Sequence, residues 1–142
     1  MTQDYYGTKR VTAWAQWRDG KNGYAVKYAD GYISWSPQEA FEASYQPLNA
    51  LSFGHAVEAL KAGHRVARAG WNGKGMWLYL VPPNSYPTQT DAARAHFGDM
   101  VPYLAYIAMK TVDNIVVPWL ASQTDILADD WVLLPPEIPA AA

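Results

Sequence analysis

The chain has 142 residues, enough for one ordinary domain or for a small domain with an appendage. Its formal net charge of −2 offers no broad basic surface for duplex nucleic acid, and the absence of cysteine excludes disulfides, thiolate catalysis and cysteine-bound zinc. No apolar run approaches the ~20 residues of a membrane-spanning helix, and the first residues lack the pattern of a signal peptide. These features fit a cytosolic protein without a membrane partner.

The aromatic composition is unusual, because the chain has 7 Trp and 10 Tyr but only 3 Phe. Trp and Tyr combine a large apolar ring with a polar group, which suits ligand-binding surfaces and subunit interfaces. Small β-rich domains also carry these residues on strands for packing alone. Composition leaves both interpretations open.

The first 47 residues predict a short β-rich extension. A strand is expected over residues 11–17, and residues 24–28 and 32–35 flank the dipeptide Asp30-Gly31, which is typical of a tight hairpin turn. We therefore expect a hairpin in this part of the chain.

A helix should follow that hairpin. Ser36, Pro37 and Glu39 form the pattern of a helix start, with Ser36 as the capping residue. Phe41 and Tyr45 would then share one helical face. The resulting ββα-like extension, residues 1–47, is too small to bury much core, so we expect it to pack on the main domain or on a neighbouring subunit.

The main domain, residues 48–134, is expected to begin with a helix. Ser52 is a suitable cap, and Phe53, Ala56, Val57 and Leu60 recur at the spacing of one helical face. Gly63 follows as a stop signal.

A glycine-rich loop then separates two predicted strands, over residues 65–69 and 76–81. It contains Gly70, Gly73 and Gly75, and between them Trp71. Because loops run over the surface, a large aromatic ring there is either a loop anchor or a flat platform for a flat ligand.

The second half predicts further strands and short helices. Residues 82–88 are rich in turn formers and predict an irregular loop, after which Thr90 is expected to cap a short helix. One strand is expected over residues 103–110, and its return ends in Pro118, which places that strand at a sheet edge because proline lacks an N–H. A last strand, over residues 131–134, precedes a proline-broken tail, residues 135–142, which we expect to be mobile.

Together these elements predict an α+β fold. The main domain is expected to be a small antiparallel sheet built of hairpins, with short helices packed on one side.

No catalytic signature is present in the sequence. It lacks a phosphate-binding Walker loop, a nucleophile elbow, a dinucleotide-binding fingerprint and a helical metal-binding His-Glu pair. The three histidines are scattered and lack metal-ligand spacing. A binding protein without a metal or cofactor is therefore favoured over an enzyme, although a spatial triad stays open.

Two tryptophans head the candidate binding residues, because Trp71 and Trp119 both lie beside loops with small and amide residues. We hypothesise that the two rings clamp a purine between them while neighbouring amides and hydroxyls hold its phosphates. Polar residues near the two rings are candidates for these contacts: Arg68, Asn72, Lys74, Ser122, Gln123, Thr124 and Asp125.

Each candidate also has a purely structural interpretation. Trp119 can be a core residue, Ser122 and Asp125 a helix-capping pair, and Asn72 a turn residue. Trp131 is expected in the core or at an interface.

Several linked motifs resemble the phage family of Thoeris anti-defence protein 2. They are residues 51–63, 66–76 with Gly-Trp-Asn-Gly, 103–110, 117–125 with Pro-Trp-Leu-Ala-Ser-Gln, and Ala-Asp-Asp-Trp at 128–131. The resemblance covers about residues 51–134. Residues 31–39 resemble a segment at the start of various phage proteins, which says less about function.

This resemblance implies a sponge that captures a cyclic ADP-ribose isomer without degrading it, in the cytoplasm of the infected host. It also implies a homotetramer with pockets between subunits and, in some members, a separate site for cyclic dinucleotides. Carried onto this chain, the pocket tryptophans are Trp71 and Trp119, with Asn72, Ser122, Gln123, Asp125 and Arg68 as polar neighbours. The alternatives are a nucleotide-processing enzyme and a phage structural or assembly protein.

Overall fold

The computed structural model describes residues 1–71 and 74–139 and confirms an α+β fold. The chain divides into two compact units, Met1–Pro47 and Leu48–Ala142. Each unit has its own antiparallel sheet.

The first unit is a three-stranded meander followed by a helix. Its elements are β1 (Thr12–Ala15), β2 (Gly23–Lys27), β3 (Ile33–Pro37) and α1 (Gln38–Ser44), and the strands lie in the order β1-β2-β3. Gly31 has a φ of +90°, and the Tyr32 N–H donates to the Asp30 carboxylate over 2.9 Å. The predicted Asp-Gly hairpin is therefore confirmed.

The predicted capping role of Ser36 is wrong. Ser36 is still part of β3, where it pairs with Tyr24, and Pro37 occupies the N-cap position without any side-chain cap bond. Strand pairing extends two residues past the expected strand end at residue 35. The shared face of Phe41 and Tyr45 is confirmed, because their rings stack at 4.9 Å and Phe41 also stacks on Tyr24 at 4.2 Å.

The second unit contains a five-stranded sheet and a separate two-stranded ribbon. The sheet order is β10-β4-β5-β8-β9, and the ribbon is β6-β7. In chain order the elements are α2 (Phe53–Lys61), β4 (Val66–Arg68), β5 (Trp77–Val81), β6 (Asn84–Pro87), α3 (Asp91–Phe97), β7 (Met100–Tyr103), β8 (Tyr106–Lys110), β9 (Val116–Pro118), α4 (Gln123–Ile126) and β10 (Trp131–Leu133).

Helix α2 supplies part of the core of this unit. The Ser52 hydroxyl accepts the His55 N–H, so the predicted cap is confirmed, and Gly63 follows the helix with a φ of +91°. Leu60 is fully buried and belongs to the same core cluster as Leu78. With nine residues, α2 is the longest helix of the described chain, and no helix there has the length and apolarity to cross a bilayer.

The prediction of a single strand over residues 103–110 is wrong. β7 ends at Tyr103 and pairs with β6, which lies in the stretch interpreted as an irregular loop, whereas β8 begins at Tyr106 and joins the main sheet. Pro82 and Pro83 follow β5 directly, and proline cannot donate to a ladder, so the chain leaves the main sheet there and forms its own ribbon.

The edges of the main sheet agree with the sequence in one respect. β9, which contains Pro118, is an outermost strand, as predicted. The tail follows β10, the strand at the opposite edge. Arg65, which precedes β4, holds this tail by an ion pair with Glu137 at 2.9 Å and by donating to the Pro135 carbonyl. The described part of the tail is thus tied down at its start, and the mobility expected for residues 135–142 stays a prediction.

Candidate functional site

The two candidate tryptophans meet within one chain. Trp71 follows β4 and Trp119 follows β9, and their ring centroids lie 6.4 Å apart with planes tilted by 59°. A base clamped between parallel rings needs roughly 7 Å, twice the ~3.4 Å stacking distance in nucleic acids. The clamp hypothesis is therefore wrong for a single chain, because the rings contact each other instead. Both remain half-buried, so each keeps some accessible surface.

Trp131 and Phe53 support these two rings from below, and we call this pair the aromatic floor. Trp131 is 0% exposed and packs edge-on against Trp71 at 5.4 Å and against Trp119 at 6.0 Å. Phe53, from the start of α2, contacts Trp131 at 5.4 Å and Trp119 at 6.1 Å. The prediction that Trp131 belongs to the core is confirmed, and the floor holds the two accessible rings in place.

Arg68 is engaged in ion pairs at the base of the Trp71 loop. Its Nε donates to Asp130 and its Nη1 to Asp125, each over 2.9 Å. These two carboxylates raise the pKa of the Arg68 guanidinium above its ordinary value. One positive charge thus faces two negative charges, so Arg68 is not a free cation for a phosphate, contrary to its expected role.

Asp125 fixes the orientation of Trp71. Its carboxylate accepts the indole N–H of Trp71 at 3.2 Å, the Arg68 guanidinium at 2.9 Å and the Ser122 hydroxyl at 2.8 Å. Burial favours the neutral carboxyl, but these hydrogen bonds together hold the pKa of Asp125 below its ordinary value. Asp125 is therefore a charged anchor for the ring.

The start of α4 is a capping box. The Ser122 hydroxyl accepts the Asp125 N–H, and the Asp125 carboxylate accepts the Ser122 N–H. Ser122 also shares a hydrogen bond of 2.9 Å with the Thr124 hydroxyl. Both groups of the cap already have partners in a helix of only four residues, so the expected phosphate cradle is not formed here. Of the two interpretations left open, capping is the one observed.

The remaining polar candidates are less constrained. Gln123 and Lys74 are exposed. Asn72 lies outside the described residues, together with Gly73, so its predicted contact stays a prediction. Among the residues that the structure describes, no group of His, Cys, Asp and Glu side chains is arranged to hold a metal ion.

A model of the Thoeris anti-defense 2-like domain matches residues 51–134, more than half of the chain. The chain belongs to this family. A similar protein is Thoeris anti-defense 2 of Bacillus phage SP01, which is 40% identical over 81 residues, or 57% of this chain and 91% of that protein.

Membership in the Thoeris anti-defense 2-like family supports a phage anti-defence role. The family match includes Trp71, Trp119 and the whole Arg68 network, whereas it leaves out residues 1–47 and the tail.

Asp130 is the site residue that sequence reasoning missed. Its carboxylate accepts the Gly70 N–H at 2.7 Å and the Arg68 Nε at 2.9 Å, and its backbone carbonyl accepts the Ala69 N–H at 3.0 Å. A Cβ on Gly70 would lie 2.7 Å from the Asp130 carboxylate, so a glycine is needed for this close approach. The only signal was the Asp-Asp pair inside the family motif at 128–131.

Asp130→Ala should therefore loosen the Trp71 loop. We expect the free energy of unfolding to fall by about 1–3 kcal/mol, because the Gly70 N–H and Arg68 lose a charged acceptor. Chemical denaturation measures the change. Asp129→Ala is the matched control, since that neighbouring side chain is exposed and should change stability by no more than ~0.5 kcal/mol. Equal effects of the two variants would contradict the role of Asp130.

The same network predicts acid sensitivity. Hydrogen bonds from Arg68 lead the causes that lower the pKa of Asp130, and the pKa of Asp125 is lowered as well. A carboxyl with a depressed folded-state pKa stabilises the fold above its unfolded value of about 3.9 and loses that contribution as pH falls through the folded value. We expect the unfolding temperature of the second unit to drop below about pH 4. By calorimetry, this fall in unfolding temperature should be smaller for Asp130→Asn than for the wild type, and equal to the wild-type fall for Asp129→Asn. A wild-type unfolding temperature that does not change with acid would refute the prediction.

Proposed function

We propose that this chain is a phage anti-defence protein that sequesters a cyclic ADP-ribose-type immune signal, such as glycocyclic ADP-ribose, without degrading it. The observation that carries the proposal is the oriented pair of half-buried rings, Trp71 and Trp119, on a rigid aromatic floor inside the family-matched region. Such a surface suits the flat base of a nucleotide, because every base has a π face.

The base is expected to stack on the accessible faces of these rings rather than between them. Gln123 and Asn72 then supply donors and acceptors for its edge, whereas Ser122 acts through the capping box that it forms with Asp125. Arg68 and Asp125 contribute by holding Trp71 in place. The proposed binding residues thus divide into those that contact the signal and those that position them.

A second copy is needed to complete the pocket. Stacking contributes roughly 1–3 kcal/mol per base, whereas nanomolar binding needs about 12 kcal/mol. Two carboxylates surround the single guanidinium of Arg68, and their excess negative charge repels a pyrophosphate. We propose that a homotetramer brings cationic and polar groups from neighbouring subunits to the phosphates.

Sequestration explains the site better than turnover. The carboxylate bonded to the Trp71 ring, that of Asp125, is held ionised by an ion pair and a capping box, so it is poorly suited to donate or accept a proton. Slow release of a bound signal is sufficient to block Thoeris defence in the host cytoplasm. A separate site for cyclic dinucleotides is part of the same proposal.

One experiment separates the alternatives. The protein is incubated with the signal, freed of unbound ligand, denatured by heat, and the released material identified by mass spectrometry. Intact signal supports sequestration, a hydrolysed product supports an enzyme, and no retained nucleotide overturns the proposal. Native mass spectrometry of the loaded protein tests the tetramer and gives the number of bound molecules per subunit.

A further inference from the structure

A cavity in the Leu48–Ala142 unit shares no residue with the Trp71 site. It has a volume of about 410 Å³, within the usual range of ligand pockets. Four tyrosines from β5, β6, β7 and β8 line it, so it lies between the main sheet and the β6-β7 ribbon. We call it the tyrosine cleft, and its lining residues are Tyr79, Val81, Pro82, Tyr86, Pro87, Gln89, Tyr103 and Tyr106.

The tyrosine cleft is aromatic, uncharged and rich in unused hydroxyls. None of its lining residues carries a formal charge, so a phosphate or carboxylate would find no cation there to balance its own charge. Tyr103 is 49% and Tyr106 is 39% exposed, and none of the four tyrosine hydroxyls has a hydrogen-bond partner within the described residues. The Gln89 side-chain amide already donates to the Pro87 carbonyl.

These properties match an extended, proline-rich peptide. Proline has no N–H, so such a peptide presents carbonyl acceptors, and the tyrosine hydroxyls are donors. Proline rings pack flat on aromatic rings, which is how proline-rich segments bind aromatic-lined grooves in other proteins. Sugars fit less well, because the cleft lacks the carboxylate or free amide groups that hold neighbouring hydroxyls.

The chain itself carries such a segment at its end. Residues 135–139 read Pro-Pro-Glu-Ile-Pro and are all exposed, and Ile138 is 93% exposed. Their only charged residue, Glu137, is held by Arg65 at 2.9 Å. The two residues after this anchor, Ile138 and Pro139, are uncharged, as is the tyrosine cleft. None of the described tail residues, 135–139, lines the cleft of its own copy.

We propose that the tyrosine cleft binds the tail of a second copy of this chain, with Ile138 and Pro139 as the inserted residues. Ile138 is almost fully exposed, so its burial in the cleft favours the exchange, and a two-fold dimer makes this contact twice. The exchange is independent of nucleotide binding, so it stands or falls separately from the proposed function.

Photo-cross-linking in the full chain tests the exchange. Ile138 is replaced by a benzophenone-bearing phenylalanine analogue, and irradiated protein is separated on a denaturing gel. We expect covalent dimers in which position 138 maps to the β6-β7 ribbon, at or beside Tyr86 and Tyr103. Cross-links confined to single chains, dimers joined elsewhere, or no cross-links would each overturn the proposal. The same analogue at Val112, which is 55% exposed, is the control and should not map to the cleft.

A matched pair of tyrosine variants locates the contact. Tyr103→Ala should reduce the dimer yield at least fivefold, whereas Tyr32→Ala, at a 63% exposed tyrosine of the first unit, should leave it unchanged. Equal yields for both would contradict the cleft as the binding site. If Tyr103→Ala also lowers the unfolding temperature, Ile138→Asp with the analogue at Pro139 tests the same contact from the tail, and an undiminished yield would again overturn it.

Discussion

Trp71→Ala is expected to abolish retention of the cyclic ADP-ribose-type signal while the chain remains folded. Loss of one base-stacking contact of roughly 1–3 kcal/mol weakens binding roughly 5- to 160-fold, so the signal should be lost when unbound ligand is removed. Trp71 is half-buried and lies in the loop after β4, so its removal costs less stability than loss of a core residue. Mass spectrometry of retained ligand measures the effect, and Trp119→Ala should behave in the same way.

The matched control is Trp17→Ala. Trp17 is 65% exposed and precedes the family-matched region, so the variant should retain the signal at the wild-type level. Circular dichroism and native mass spectrometry must show that Trp71→Ala stays folded and associated. A folded Trp71→Ala protein that still captures the signal would refute the site; one that unfolds or falls apart would refute the expectation that this ring is dispensable for the fold.

Trp131→Ala is expected to have the largest effect on stability. The side chain is fully buried, contacts three aromatic rings, and donates its indole N–H to the Asp125 carbonyl at 2.9 Å. Truncation of such a residue costs about 3–5 kcal/mol. In a unit of this size each kcal/mol lowers the unfolding temperature by roughly 4–8 °C, so calorimetry should show a fall of roughly 12–40 °C.

Trp14→Ala provides the comparison for that measurement. Trp14 is 44% exposed and belongs to the first unit, so the transition of the second unit should hardly move. Ligand capture by Trp131→Ala should fall as well, because Trp71 and Trp119 lose the floor that orients them. A loss of only a few degrees would show that the floor is not the centre of this core.

Local patterns predicted the parts of the fold that local interactions determine. The caps at Ser52 and Thr90 and the turn at Asp30-Gly31 depend on residues within a few positions of one another, and all three are observed. The Ser36 cap failed because pairing with another strand, a longer-range interaction, extended β3 past the expected helix start. The β6-β7 ribbon was missed for a similar reason, since its partners are joined through α3.

The two rings of the candidate site were predictable from the sequence, but its ion pairs were not. Trp71 and Trp119 stood out because each is a large aromatic residue beside a loop with small and amide residues, and the structure brings them together. Arg68, by contrast, pairs with Asp125 and Asp130 across 57 and 62 residues, a separation at which sequence spacing gives no signal. Without those partners in view, a structural arginine was interpreted as a phosphate ligand.

The bond between the Trp71 indole N–H and Asp125 limits what this ring can recognise. With its one donor committed, the indole offers an incoming molecule a flat surface and no directional group, and purines of any linkage satisfy that surface equally. Under the proposed function, selectivity between isomeric signals is therefore expected from the neighbouring polar side chains and from the other subunits of the proposed tetramer. Substitutions at those polar positions should then change which isomer this chain retains, while the aromatic floor of Trp131 and Phe53 is left unchanged.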